Sequence, residues 1–408
     1  MITVDEHRSR IQTTVSRLPA TILSIHSAAG LVLAEDVTNR WPVPLFDNSA
    51  MDGYAVRRVD AAVGATLKVV ADVPAGSPDD PPIGAGEAVR IMTGAPVPTD
   101  ADAIVPLEHT DLGTEILATP PDSVTVTVEP KPHAHIRRSG EDAPAGAVAV
   151  SAGTVLGPWQ VSAIASAGHD RVLAYRRPRV AVISTGTELV EPSQTPRRGQ
   201  IPESNSVLLS AAVAEAGAEV GWTATVEDDE EALRRTLADP DVDAVVLTGG
   251  ASVGAFDVVK AVLNGVVGIE FTTVAMQPGK PQGFGLLGVR APSAERTGIP
   301  VFCLPGNPVS VAVSFEMFVR PALRKMAGHT DLDRPRVVRR AATGWRSRAD
   351  RVQILPAVAD AQTVRPASRG GSGSHLVSSL ADASALAIVP ADVVEIFEGD
   401  PVTVMVLS

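Results

Sequence analysis

A chain of 408 residues, 45% apolar and 20% charged, is long enough for several domains and carries too much apolar surface to stay disordered. Its net charge of −12 argues against a general binder of nucleic acid or membrane surfaces, which needs basic patches, but leaves room for a local basic pocket around a small anion. The single cysteine, Cys303, excludes an internal disulfide and any multi-cysteine metal site; residues 1–10 lack the apolar core of a secretory signal, so a soluble cytoplasmic protein is expected.

Residues 1–43 mix helical spacing with short apolar runs: Val4-Asp-Glu opens a predicted helix and Leu31-Val-Leu-Ala reads as a strand. Residues 44–140 are dense in Gly and Pro. Short apolar runs at Leu67-Lys-Val-Val, Ala88-Val-Arg-Ile, Ala103-Ile-Val and Val124-Thr-Val-Thr-Val predict strands between turns. From residue 178 strands at 180–183, 219–226, 244–247 and 301–304 alternate with helices over 206–216, 230–237, 256–263 and 309–326. That alternation predicts a largely parallel or mixed sheet covered on both faces, with ligands beyond the carboxyl ends of its strands. After residue 331, strands at 337–338, 352–355, 385–389 and 402–406 surround a glycine-serine loop starting at Arg369, which predicts a small β-barrel or sandwich. The apolar stretch 301–319 is interrupted by Pro305, Asn307, Pro308 and Glu316 and is not a membrane span.

Three strand-to-helix junctions are rich in glycine and hydroxyls: Ser184-Thr-Gly-Thr-Glu188, Thr248-Gly-Gly-Ala-Ser-Val-Gly254 and Pro305-Gly-Asn-Pro-Val-Ser310. A glycine turn alone is routine at a strand end, but three on one sheet edge point to an anion pocket, because glycine lets backbone amides approach a phosphate. None has P-loop spacing. Gly250-Ala-Ser-Val-Gly254 has the letters of a nucleophile elbow, yet the downstream histidines, His329 and His375, lie in loop-like stretches, so Ser252 reads as part of an anion loop. His133 and His135 have no zinc-site spacing around them.

Glu188, Asp228, Asp257 and Asp52 are hard oxygen ligands of the kind that suit Mg²⁺ bridging phosphates. Structural readings compete with this. Asp228 precedes Glu231 by three residues, as a helix cap does, and Asp257 could complement a helix N-terminus. Asn307-Pro308 fits an N-cap followed by proline, which leaves Ser310 in the first helical turn. Lys280, one of only five lysines, lies in Gly279-Lys-Pro281 and reads either as a point charge for an oxyanion or as an exposed turn lysine. Asp52 in Met51-Asp-Gly-Tyr54 and Thr93 in Ile91-Met-Thr-Gly-Ala-Pro96 lie in turns.

Seven segments, in order, resemble the molybdopterin molybdenumtransferase family, to which the C-terminal region of gephyrin also belongs. They are Pro44-Leu-Phe-Asp-Asn-Ser-Ala-Met-Asp-Gly-Tyr-Ala-Val56, Ile91-Met-Thr-Gly-Ala-Pro-Val-Pro98, Gly140-Glu-Asp142, Ser184-Thr-Gly-Thr-Glu-Leu189, Gly249-Gly-Ala-Ser-Val-Gly254, Pro278-Gly-Lys-Pro281 and Leu304-Pro-Gly-Asn-Pro-Val-Ser310. The first and last are long and distinctive. The resemblance implies four domains: an elongated dimerisation domain (1–43 and 141–177), a β-rich domain (44–140), a three-layer α/β pterin-binding domain (178–330) and a C-terminal β-barrel domain (331–408). It implies a homodimer whose pterin site is completed by Asp52 and Thr93 of the partner subunit's β-rich domain. Adenylated molybdopterin and molybdate enter, Mg²⁺ assists, and AMP leaves as molybdenum reaches the dithiolene. Glu188, Asp228 and Asp257 carry over as carboxylates for metal or substrate, with the metal expected on Asp228, Asp257 or both. Lys280, Pro281 and Ser310 carry over around molybdate, and Thr185, Gly186, Gly249, Gly250, Ser252, Gly254, Pro305, Gly306 and Asn307 carry over in the substrate loops. One departure is Gln277, where many members have lysine; a neutral side chain there removes a charge from the anion pocket.

Pyrophosphate cleavage depends on positioning and charge neutralisation, which a metal, a lysine and backbone amides supply. Two rivals remain on sequence: an adenylyltransferase-like enzyme acting one step earlier, disfavoured by the sections before 178 and after 331, and a gephyrin-like scaffold, for which no linker or attached module speaks. Contact with the adenylyltransferase itself is a further expected partnership, and molybdate and tungstate are not separable by sequence.

Overall fold

The computed structural model describes the chain apart from residues 115–117, 239, 250–257, 265, 267, 289–297, 369–375 and 408. It divides into two compact units, one of Met1–Thr21, Gly30–Ala34 and Leu173–Ser408, the other of Ile22–Ala29 and Glu35–Val172.

The Glu35–Val172 unit is built on a mixed five-stranded sheet of β1 (Gly53–Val56), β2 (Thr66–Val73), β3 (Glu87–Ile91), β4 (Ala103–Pro106) and β5 (Ser123–Thr125), in the order β4-β1-β3-β2-β5. Alternate residues feed separate cores: Tyr54, Val56 and Leu67 one, Ala55, Val73 and Ile91 the other. Both faces of the sheet are therefore covered. The predicted strand at 124–128 stops at Thr125 because Val126 pairs with Thr110 outside the ladder.

In the larger unit, β6 (Arg179–Thr185), α2 (Asn205–Glu215), β7 (Glu219–Val226), α3 (Glu230–Leu237), β8 (Ala244–Thr248), α4 (Val258–Leu263), β9 (Glu270–Thr273), β10 (Pro281–Leu287), β11 (Ile299–Leu304) and α5 (Pro308–Ser314) follow the predicted alternation. The sheet order is β7-β6-β8-β11-β10-β9. Strands β7, β6, β8 and β11 are parallel, and β10 and β9 are added antiparallel at one edge. β6 shows why this segment is a strand: Val180 and Val182 enter the core on one face, Ala181 and Ile183 the core on the other. α2 ends where Gly217 takes a φ of +84°, a conformation that favours glycine after a helix.

The helix expected over 309–326 is not uniform. α5 passes into a π-helical stretch, Phe315–Val319, before α6 (Arg320–Met326). Pro321 has no N–H to bond four residues back, which accounts for the widened turn ahead of it. The N-terminal helix α1 (Val4–Thr14), capped by reciprocal Thr3–Glu6 bonds, packs His7 edge-on to Phe318 of that stretch.

The C-terminal strands β12 (Arg336–Ala341), β13 (Val352–Ala359), β14 (Thr363–Pro366), β15 (Ala385–Val389) and β16 (Pro401–Val406) close on themselves in the order β13-β14-β12-β16-β15, with β15 pairing back to β13. A closed barrel leaves no exposed edge, and Leu355, Val364, Ala387 and Val404 fill it. The short strand Met276–Gln277 adds in parallel to Val352–Gln353, which anchors the turn leading to Lys280 on the barrel. No helix among the described residues is long and apolar enough to cross a membrane.

Candidate functional site

Strand order determines what meets at the carboxyl edge of the parallel sheet. Along it come, in turn, Asp228 after β7, Thr185 at the end of β6, Gly249 after β8 and Gly306 after β11. β10 runs the other way, with Gly283 opposite Cys303, so its start, Lys280-Pro281, lies at the same edge. Five neighbouring strands at about 4.8 Å spacing make an edge roughly 19 Å long, enough for an extended ligand. Of the residues singled out from sequence in this unit, Gly250, Ser252, Gly254 and Asp257 lie outside the described residues.

The loops are close-packed through their backbones. A Cβ on Gly249, whose φ is +88°, would lie 2.3 Å from the Thr185 carbonyl oxygen; one on Gly306 would lie 3.3 Å from the Gly249 Cα. Glycine is required at 249 by both conformation and space. The Gly186 amide is engaged, donating to the Val226 carbonyl at 3.1 Å, so that loop contributes tight packing instead of an amide for a ligand. Thr185 is buried, with its hydroxyl donating to the Thr248 carbonyl at 3.2 Å. Pro305 and Ser310 are buried, while Gly306 and Asn307 are exposed. Asn307 occupies the N-cap position with Pro308 first in the helix, as expected, but its side chain makes no capping bond.

Glu188 is exposed at this edge, and its carboxylate lies where a Cβ on Gly186 would sit, 2.6 Å from that position. The cap reading of Asp228 is overturned. Asp229 caps α3, accepting from the Ala232 N–H at 2.8 Å. Asp228 instead reaches across to the neighbouring loop and accepts from the Thr187 hydroxyl at 3.0 Å and its N–H at 3.3 Å. An exposed carboxylate thus joins two strand-end loops.

Lys280 is exposed on a turn held from beneath. The Gln282 amide, buried in the core, donates to the Gly279 carbonyl at 2.7 Å and to the Ser314 hydroxyl at 2.8 Å. Gly279 has a φ of +93°, and a Cβ there would come within 2.8 Å of that same hydroxyl. Pro281 follows as the first residue of β10, half-buried. An apolar cleft of about 410 Å³ lined by Pro202, Glu203, Val207, Leu208, Pro308 and Leu380 lies beside α2, but Thr185, Gly249 and Lys280 are not part of it. Its apolar walls do not suit a polyanion.

In the other unit, Asp52 and Thr93 are brought together as a pair: the Asp52 carboxylate accepts from the Thr93 N–H at 2.6 Å and from its hydroxyl at 2.7 Å. Asp52 immediately precedes β1, and Thr93 lies in the turn after β3, the strand paired with β1. Among the described residues no group of three or more His, Cys, Asp or Glu is assembled as a metal cage.

Family models match the MoeA N-terminal region (domain I and II) over residues 2–168, a probable molybdopterin binding domain over 181–325 and the MoeA C-terminal region (domain IV) over 338–407. Molybdopterin molybdenumtransferase 2 of Mycobacterium tuberculosis is 41% identical over 100% of both chains. The chain belongs to the molybdopterin molybdenumtransferase family. The Haemophilus influenzae molybdopterin molybdenumtransferase is 34% identical over 99% of this chain and 98% of its own. The crystal structure of the molybdopterin biosynthesis MoeA protein from Pyrococcus horikosii superposes with a TM-score of 0.81 at 30% identity, covering 100% of this chain and 99% of that one.

For a member of this family, the sequence reading missed three groups that the fold makes conspicuous. Asn205, just before the helix expected over 206–216, is buried and donates to the Gly306 carbonyl at 2.8 Å. Glu203 is a buried carboxylate that accepts from the Ser184 hydroxyl at 2.9 Å. In the other unit Asp47 pairs with Arg138 and accepts from the Ser139 N–H, which holds its carboxyl below the ordinary range. Arg138 also meets His133 Nδ1 at 2.6 Å, and His133 has a φ of +57°. The Gly140-Glu-Asp142 motif beside Arg138 was the available signal. At the departure noted from sequence, the Gln277 Oε1 is buried with no hydrogen-bond partner among the described residues.

Proposed function

We propose that this protein is a molybdopterin molybdenumtransferase, taking adenylated molybdopterin and molybdate and releasing AMP as molybdenum reaches the dithiolene. The observation that carries the reading is the single sheet edge that gathers close-packed glycine loops, the Asp228 carboxylate and the Lys280 ammonium, on a chain 41% identical to a named molybdenumtransferase over its full length.

The chemistry asks mainly for positioning and charge neutralisation. The backbone surface around Gly249 and Gly306 admits the pterin and its phosphates at close range, with Thr185 setting the floor. Lys280 and Pro281, with Ser310, face molybdate as an ammonium and its flanking turn. Asp228, Asp257 or both would hold Mg²⁺, which would supply charge neutralisation at the pyrophosphate; Glu188 orients substrate beside them. The reading includes a homodimer in which Asp52 and Thr93 serve the loops of the partner subunit. Thr93 holds Asp52 in one orientation through two bonds to the same oxygen, leaving the other oxygen for the reaction.

Purified protein supplied with adenylated molybdopterin, Mg²⁺ and molybdate is expected to release AMP and form metal-loaded cofactor. Absence of both products overturns the reading, and formation of adenylated pterin from ATP and molybdopterin would favour the adenylyltransferase-like alternative. Asp52→Ala is expected to cut AMP release by about a hundredfold, in the range of losing a group that acts only in the transition state. Unchanged release removes Asp52 from the mechanism. Competition between molybdate and tungstate in the same assay decides which oxyanion is preferred.

A further inference from the structure

We propose that Asn205 is a positioning residue for this site: it sets the pose of the Gly306–Asn307 peptide and so the spacing of two of the substrate loops. The inference rests on the function proposed above and adds a residue to it.

Asn205 is the first residue of α2 and is 7% exposed. It is not a cap. The N-cap position is Ser204, and Asn205 sends its side chain away from its own helix. Its Nδ2 donates to the Gly306 carbonyl at 2.8 Å and lies 3.5 Å from the Thr248 hydroxyl. That hydroxyl donates to Ser184 Oγ at 3.3 Å, and Ser184 donates to the Glu203 carboxylate at 2.9 Å. Glu203 in turn accepts from the Ser206 N–H at 2.9 Å and from the Ser206 hydroxyl. One buried polar chain thus runs beneath the ends of β6, β8 and β11, and Asn205 links it to the third.

Three physical points make this link more than packing. A peptide group is planar, with its C=O and N–H opposed, so drawing the Gly306 carbonyl inward fixes the direction of the whole Gly306–Asn307 unit. Gly306 already stands close to Gly249, 3.3 Å from its Cα to a Cβ position, so a small rotation of that peptide alters the gap between the loops. Finally, Asn205 Oδ1 is buried with no hydrogen-bond partner among the described residues. An unpaired buried acceptor weakens a fold, and an apolar side chain would avoid it. What only the amide provides is the donor to Gly306, and a local rule broken without gain in stability is a mark of a functional position.

The test compares wild type with Asn205→Leu, which keeps most of the volume and should fold, Asn205→Asp, which keeps the shape without the donor, and Asn205→Gln, which keeps a donor. AMP release is measured against adenylated molybdopterin and, separately, against molybdate. With Leu and Asp the KM for the adenylated pterin is expected to rise about tenfold, with kcat within about twofold and the KM for molybdate unchanged; Gln restores part of the loss. Amide exchange over residues 304–310 is expected to quicken in the same two variants. Equal pterin KM and equal exchange overturn the inference, as does a loss that follows thermal stability alone and is not recovered by Gln. If wild type itself turns nothing over, the functional reading falls, while the exchange comparison still decides the role of Asn205.

Discussion

The two units solve the problem of presenting a polar site in opposite ways. At the edge of the parallel sheet the work is done by backbone: Thr185, Gly249 and Gly306 touch through main-chain atoms, and the side chains that hold them, Ser184, Glu203 and Asn205, are buried. In the five-stranded unit, Asp52 and Thr93 meet through side-chain bonds in open turns, and Gly94 beside them has nothing within 4 Å of a Cβ position. A parallel sheet brings the ends of strands distant in sequence to one line, so its loops crowd one another and tolerate little volume. A turn after a strand in a mixed sheet has no such neighbours, and specificity passes to the side chains.

Alanine at two glycines tests this contrast most severely. Gly249 and Gly94 have similar φ values, +88° and +80°, so backbone strain is nearly the same in both. Only Gly249→Ala also drives a methyl to 2.3 Å from a carbonyl oxygen. Gly94→Ala is expected to cost about 1 kcal/mol and Gly249→Ala more than about 3 kcal/mol, with AMP release abolished in the second. Denaturant midpoints for both variants measure the difference. Equal costs would mean that the sheet-edge loops are not in contact.

Much of this architecture could be read directly from residue pattern. β7 and α3 have the bounds expected, because alternation marks the strand and an acidic start with apolar spacing marks the helix. Apolar periodicity predicts one helix over 309–326 because it does not register the missing N–H of Pro321. Site residues divided in the same way. Glycines and acids at strand ends stood out, since turn chemistry singles them out. Asn205 and Glu203 did not, because a polar residue near a helix start looks like an ordinary cap until burial is known. The cap expected at Asp228 falls on Asp229, one residue of register that spacing alone does not resolve.

Acid should separate the two units by a smaller margin. His7 is buried against Phe318, and burial pushes its imidazole down to about 4 from an ordinary value of 6.5. A group depressed in the folded state leaves the unfolded chain binding more protons between those values. Stability is therefore full above pH 6.5, falls as pH drops toward 4, and is lower by roughly 3 kcal/mol beyond it. His329, lowered to about 4 by burial beside Arg324, acts in the same direction by a smaller, solvent-screened amount. Both belong to the unit carrying the sheet edge. In the five-stranded unit, Asp47 and Asp80 are held low by the Ser139 and Thr99 N–H groups, so their contribution is lost only as pH falls through values below the ordinary 3.8. Amide protection, taken relative to the intrinsic exchange rate at each pH, is expected to fall from pH 7 to 4 in the sheet-edge unit first, and His7→Leu to flatten the slope of stability between pH 6.5 and 4. An unchanged slope would place the loss elsewhere.

The finest distinction is between adjacent carboxylates on the sheet-edge side. Asp229 caps a helix amide, so Asp229→Ala is expected to cost about 1 kcal/mol in folding and leave AMP release as it was. Asp228 is exposed and, among the described residues, hydrogen-bonded to Thr187, so Asp228→Ala is expected to change stability by less than about 0.5 kcal/mol and to lower AMP release by about a hundredfold. The two variants have the same charge change, one residue apart. A general electrostatic effect on a polyanionic substrate would treat them alike, whereas a placed ligand separates them. Loss of activity in both, or in neither, would return Asp228 to the helix from which its side chain turns away.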